Sequence, residues 1–119
     1  MSTQEVANRL VELCRTGAYD QAHQELYAAD ALSIEPEGTP NPHVQGMDAI
    51  KAKGEQWQQT MEEVHSSFVN DPIVAGNYFS LTMGYDATMK GFGRVNMEEI
   101  CVYQVKDGKI VKEQFFYDM

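Results

Sequence analysis

From Val64 onward the apolar residues of this chain stop recurring every three to four positions and begin to alternate, and that change of period constrains the fold more than any other feature. Ahead of it the pattern is helical. Ser2, with Glu5 three positions on, forms a capping-box signature. Val6, Leu10, Leu13 and Cys14 then keep helical spacing up to Gly17, which predicts a first helix over about Thr3 to Thr16. Tyr19, Ala22, His23, Leu26 and Tyr27 give a short second helix that ends near Ala29-Asp30, with His23 at the surface. Leu32 and Ile34 alternate with Ser33 and Glu35 as a strand, and Pro36 to Gly46 reads as a loop within the domain. Met47, Ile50, Gly54, Trp57 and Met61 then share one face of a third helix of about four turns, with Trp57 mid-face and buried.

The second half predicts strands over Val64 to Asn70, Ile73 to Met89, Val95 to Val105 and Lys109 to Tyr117. Turns fall at Asp71-Pro72, at Lys90 to Gly93 and at Asp107-Gly108, the last a type I′ hairpin signal. Helices first and an antiparallel meander last make this an α+β chain, and its 119 residues form one domain over positions 1–119. The late strands are apolar on both faces, with Ile100 and Val102 on one side and Met97, Cys101 and Tyr103 on the other. One face is expected to pack on the helices and the other on a second copy of the chain, as a homodimer.

Charge excludes several functions. Eighteen Asp and Glu against nine Lys and Arg leave −9, which disfavours nucleic acid and anionic membranes as partners. No stretch approaches the ~20 apolar residues of a membrane helix, and the first residues lack the pattern of a secretory signal, so a cytoplasmic protein is expected. Cys14 and Cys101 sit inside apolar runs and read as buried hydrophobes. His23, His43 and His65 show no metal-ligand spacing, so no metal and no cofactor is expected. There is no GxSxG element, and Gly91-Phe92-Gly93 lacks the continuation of a phosphate-binding loop.

The order helix, helix, strand, loop, helix, antiparallel strands, together with Ala29 to Gly38, Gly46-Met47-Asp48-Ala49-Ile50 and Asp107-Gly108-Lys109-Ile110-Val111, resembles the NTF2-like superfamily. Within it the chain is most similar to the SnoaL-like group, related to polyketide cyclases and ketosteroid isomerases. The resemblance implies a cone: three N-terminal helices packed on a strongly curved antiparallel sheet that encloses an apolar pocket, often dimeric through the outer face of the sheet. The fold hosts isomerases, cyclases, dehydratases and binding modules alike.

In the isomerases of this group the general base is an acid at the end of the first strand, ahead of a proline and with a glycine beyond. Glu35-Pro36-Glu37-Gly38 is similar in form, so the resemblance places Glu35 at the base position. A carboxylate at the rim of an apolar cavity has its charged form disfavoured, which suits proton abstraction beside a carbonyl. The oxyanion-binding tyrosine falls instead on Leu10 and the protonated aspartate on Cys101, neither a competent donor. With Cys101 facing the pocket, alternation turns Met97, Glu99 and Tyr103 inward too, and across the hairpin Glu113 and Phe115. Glu99 beside Tyr103 would pair an acid with a phenol, and His65 is a further proton-shuttle candidate. Trp57, Met97, Cys101, Glu113 and Phe115 are the expected ligand-contacting set.

Two readings stay open beside a third, a stress- or association-type accessory domain acting through its dimer surface. In one, the chain is a cofactor-independent isomerase, cyclase or dehydratase acting on a hydrophobic carbonyl compound, with Glu35 as base and Glu99, Tyr103 or His65 as acid or oxygen holder. In the other it is a non-catalytic dimeric cone that binds an apolar ligand or a protein partner.

Overall fold

The fold is seen in a computed structural model that describes residues 1–118. α1 (Thr3–Arg15) starts at the predicted capping box: the Glu5 amide donates to Ser2 Oγ at 3.1 Å and the Ser2 amide donates to Glu5 Oε1 at 2.9 Å. Its buried stripe is Val6, Ala7, Leu10, Val11, Leu13 and Cys14. Gly17, at φ +74°, ends it by donating to the Cys14 carbonyl. α2 (Tyr19–Leu26) buries Ala22 and Leu26. It stops earlier than predicted, because Tyr27 already belongs to β1 (Tyr27–Ile34). The loop after β1 contains a short strand, β2 (His43–Gln45), that the sequence reading missed; it pairs antiparallel with the end of β1.

α3 (Met47–Thr60) buries only Ile50. Trp57 corrects an expectation: it is 40% exposed. The apolar face of α3 is present, but only its first turns meet the core, and the Trp57 turn lies beyond the buried layer.

β3 (Met61–Val69), β4 (Ile73–Ala75), β5 (Tyr78–Met89), β6 (Gly93–Lys106) and β7 (Lys109–Phe116) form the predicted meander. The expected strand from Ile73 to Met89 is in fact two, since a turn at Gly76-Asn77, with Gly76 at φ +59°, folds β4 back onto β5. Asp107 and Gly108, at φ 52° and 76°, make the predicted primed turn. The sheet order is β2-β1-β7-β6-β5-β3, with β4 also on β5. All pairings are antiparallel except β1 with β7, which is parallel and sets Ser33 beside Glu113. Register shifts in β1, β3 and at Gln104/Val105 of β6 accommodate the curvature. The sheet wraps the helices without closing into a barrel. Phe79, Leu81, Met83, Cys101, Tyr103, Val105 and Ile110 on its concave face pack with the buried stripes of α1 and α2.

Gly84 on β5 lies against Phe68 of β3. A Cβ there would stand 2.5 Å from the Phe68 ring and 2.7 Å from the Met97 carbonyl oxygen. The ring can turn away but the carbonyl belongs to the β5–β6 ladder, so Gly84→Ala is expected to cost about 1–3 kcal/mol of folding stability, read as a lower urea midpoint.

Candidate functional site

The polar side chains that the sheet turns inward meet at the end of the cone where β1, β6 and β7 run side by side. Glu113 is only 4% exposed. Tyr27 donates to its Oε1, and Ser33, fully buried one strand away, donates to Oε2 at 2.6 Å. Lys53 reaches in from α3: its Nζ donates to Ser33 Oγ and lies 3.1 Å from Glu35 Oε1. Tyr117, just beyond β7, donates to the other Glu35 oxygen at 2.9 Å. A continuous polar chain therefore runs from Tyr27 through Glu113, Ser33, Lys53 and Glu35 to Tyr117. The Lys53 and Glu35 side chains keep 23% and 18% of their surface exposed, so this end of the chain opens to solvent. The Lys53 ammonium also stands over the Phe115 ring, 5.2 Å from its centroid.

Glu99 lies two residues before Cys101 on β6, and Cys101 Sγ donates to its Oε1 at 3.6 Å, a weak contact. Burial pushes the Glu99 carboxyl up from 4.5 to about 7; the charges of Glu35 and Glu113 push the same way, while the Cys101 thiol and Lys53 only partly offset them. Glu113 is also raised by burial, against the stabilising hydrogen bonds from Ser33 and Tyr27. Burial holds the phenols of Tyr27 and Tyr103 well above their ordinary range, and Tyr117 is raised by burial and by Glu35, so all three are donors at neutral pH. The thiols are inert for the same reason: burial lifts Cys14 to about 12 and raises Cys101 further, with Glu99 adding to the second. Nearby, Tyr19 and Tyr85 share a hydrogen bond at 2.9 Å.

The structure brings together Glu35, Glu113 and Phe115 around Lys53, and sets Glu99 beside Cys101. Met97 sits opposite Tyr85 on the same alternation as Glu99. Tyr103 does not form the expected pair with Glu99: it is buried in the core, stacked on Phe79 at 4.7 Å. His65 stands apart. It bonds Thr88 Oγ1 at 2.8 Å, and Thr88 and Asp86 alternate with the fully buried Ala87, so the imidazole faces the outer side of the sheet near the Asp86–Arg94 ion pair. His43 is exposed beside Glu37. His23 corrects a second expectation: it is half-buried, its ring is edge-on to Tyr27 at 4.9 Å, and burial disfavours its charged form.

Four members of the polar chain were missed: Tyr27, Ser33, Lys53 and Tyr117. Lys53 had a legible signal, since it lies three residues after Ile50 and four before Trp57, on the face of α3 that turns inward. Among the described residues no group of three His, Cys, Asp or Glu is placed to hold a metal ion, and no helix is long and apolar enough to cross a membrane. A surface depression of about 570 Å³ lies between β1, β7 and the Asp107 turn, with Leu32, Gln45 and Lys109 on its walls and none of the site residues.

Residues 1–117 match the model of the SnoaL-like domain. A Mesorhizobium loti protein named as a SnoaL-like polyketide cyclase is 36% identical, superposes with a TM-score of 0.92, and is matched over 98% of this chain and 100% of that one. Two more distant structures share the fold. One is a Xanthomonas campestris protein of unknown function with a cystatin-like fold, at 16% identity and TM-score 0.83 over 100% of this chain and 92% of that one. The other is a Catenulispora acidiphila protein with a ketosteroid isomerase-like fold, solved in complex with trimethylamine, at 18% identity and TM-score 0.76 over 99% and 88%. No curated protein matches at a significant level. The match over nearly the whole length and the cone that carries it lead to one conclusion: this chain belongs to the SnoaL-like domain family.

Proposed function

We propose that this protein is a cofactor-independent acid–base enzyme of the isomerase, cyclase or dehydratase type, acting on a hydrophobic carbonyl compound in the cone. The observation that carries the reading is Glu99, a buried carboxyl in contact with Cys101 whose proton affinity sits near 7 within the electrostatic reach of Glu35 and Lys53. A proton-transfer group works best when its pKa lies near the operating pH. Glu35, at the position of the family's base, has Lys53 on one oxygen and Tyr117 on the other, so both of its oxygens are already engaged. Glu99 has only a thiol contact, so it is the member of the pair that takes and returns the proton. Met97, Phe115 and the exposed Trp57 supply apolar surface for the ligand's hydrocarbon part.

The test is exchange of α-protons into deuterated water, followed by NMR over a panel of hydrophobic cyclic ketones and β-keto esters. Exchange with at least one class is expected, at a rate that rises as pH passes about 7 and that falls to the uncatalysed background in Glu99→Gln. A folded protein that exchanges nothing overturns the enzymatic reading in favour of a binding module.

The outer sheet face supports a second proposal, a homodimer. Phe68, Tyr78, Ile100 and Phe116 are all exposed there, on strands that lie side by side. Light scattering is expected to give twice 13.4 kDa, and a monomer mass sinks the dimer.

A further inference from the structure

Among the described residues, Lys53 is the cation that acts on all three of Glu35, Glu99 and Glu113. Its ammonium carries three donors. One is spent on Ser33 and one faces Glu35, and the nitrogen stands over the Phe115 ring at the side where the polar chain meets solvent. An inward lysine on a helix of this exposure needs a reason, since the same stem could keep its charge in water. Glu35 alone does not supply one: Tyr117 already holds its second oxygen and would keep a donor on it if Lys53 turned away. Ser33 anchors Nζ from behind and is itself fixed by Glu113, so the ammonium can exchange its front partner without losing its rear one.

We infer that Lys53 is the oxyanion holder of this site, and that the ligand is an enolisable carbonyl compound whose oxygen takes the place of the Glu35 carboxylate on the ammonium. Leu10 and Cys101, the positions that the resemblance assigns to oxygen-holding donors, supply none here. Leu10 is buried in the core, and Cys101 directs its thiol to Glu99. The inference deepens the acid–base reading and rests on it for turnover, though not for binding. In the step it assigns, the α C–H bond breaks and the proton goes to the Glu99 carboxylate. The electron pair moves onto the carbonyl oxygen, and Lys53 donates a hydrogen bond to the resulting enolate. Reprotonation of the enolate by Glu99 at another carbon restores both groups, so no oxidant or cofactor enters the balance.

The competition between ligand and Glu35 for one ammonium gives a test that needs no substrate. Para-nitrophenol carries an ionisable oxygen on an apolar ring and reports its own ionisation by the visible absorbance of the phenolate; para-nitroanisole is its neutral match. The protein is expected to bind para-nitrophenol as the phenolate. Lys53→Met should weaken phenolate binding about tenfold or more while leaving para-nitroanisole within about twofold. Glu35→Gln, which removes the competing carboxylate, should tighten it. Equal loss of both probes in Lys53→Met, an unchanged or weaker phenolate affinity in Glu35→Gln, or no phenolate binding at all overturns the assignment. Lys53-dependent binding in a protein that exchanges no ketone α-protons leaves the oxyanion site standing and removes the enzymatic reading. Exchange that persists in Lys53→Met does the reverse.

Discussion

Glu113→Ala is expected to cost about 3 kcal/mol of folding stability, a large fraction of what a domain of this size possesses. The Glu113 carboxyl is the acceptor for two buried hydroxyls, Tyr27 on one oxygen and Ser33 on the other, and Ala leaves both O–H donors without that acceptor, Ser33 keeping only the bond it accepts from Lys53. A buried donor stripped of its acceptor costs roughly 1–3 kcal/mol, because its hydrogen bond to water has already been given up. Removing the carboxyl also relieves its own burial, which raises its pKa, so part of the loss is returned. Gln separates these effects. It keeps an acceptor oxygen in place, and the Ser33 hydroxyl can rotate to accept from the new amide, so Glu113→Gln should cost about 1 kcal/mol. Urea titrations of the three proteins check this, and equal midpoints for Ala and Gln would show that hydrogen bonding at Glu113 does not hold the β1–β7 seam.

The elements and residues that the sequence placed well are those governed by local rules. Asp107-Gly108 dictates a turn with two positive φ angles, and that turn is present. Strand alternation from Cys101 correctly put Tyr103, Glu113 and Phe115 on one face, since the register Cys101 to Phe115 and Tyr103 to Glu113 runs without a break. What escaped depends on contacts distant in sequence. Tyr27 fits the helical period of α2, yet it is captured by β7 as the first residue of β1, pairing with Ile110. Parallel pairing of β1 with β7 brings Ser33 to Glu113 across 80 residues, a juxtaposition no local pattern encodes. Lys53 escapes because a lysine in a helix is most often solvated, and Trp57 departs from its expected burial because periodicity tells which face is apolar but not how far along it the core extends. The candidate site is therefore legible in its acids and not in the partners that set their chemistry.

Glu99→Gln is expected to stabilise the protein above neutrality and to leave it unchanged in acid. The Glu99 carboxyl titrates at about 7 in the folded chain against 4.5 ordinarily, so between those values the folded state holds a proton that the unfolded state has released. Stability from this group is complete below about 4.5, falls as pH rises through the window, and levels off above about 7, where the folded protein carries a poorly solvated carboxylate. Gln has no such charge. The difference in unfolding free energy should open across the window and plateau at about 3 kcal/mol in favour of Gln. Urea titrations across that pH range measure it, and a difference that does not vary with pH removes Glu99 as a group poised near neutrality. A stabilising substitution at an inward carboxyl would also bear on function, because a chain that tolerates strain of this size at one residue keeps it against selection for stability. The strain has a use if the same protonation step governs proton exchange, so the stability window and the inflection in the exchange rate should coincide near 7.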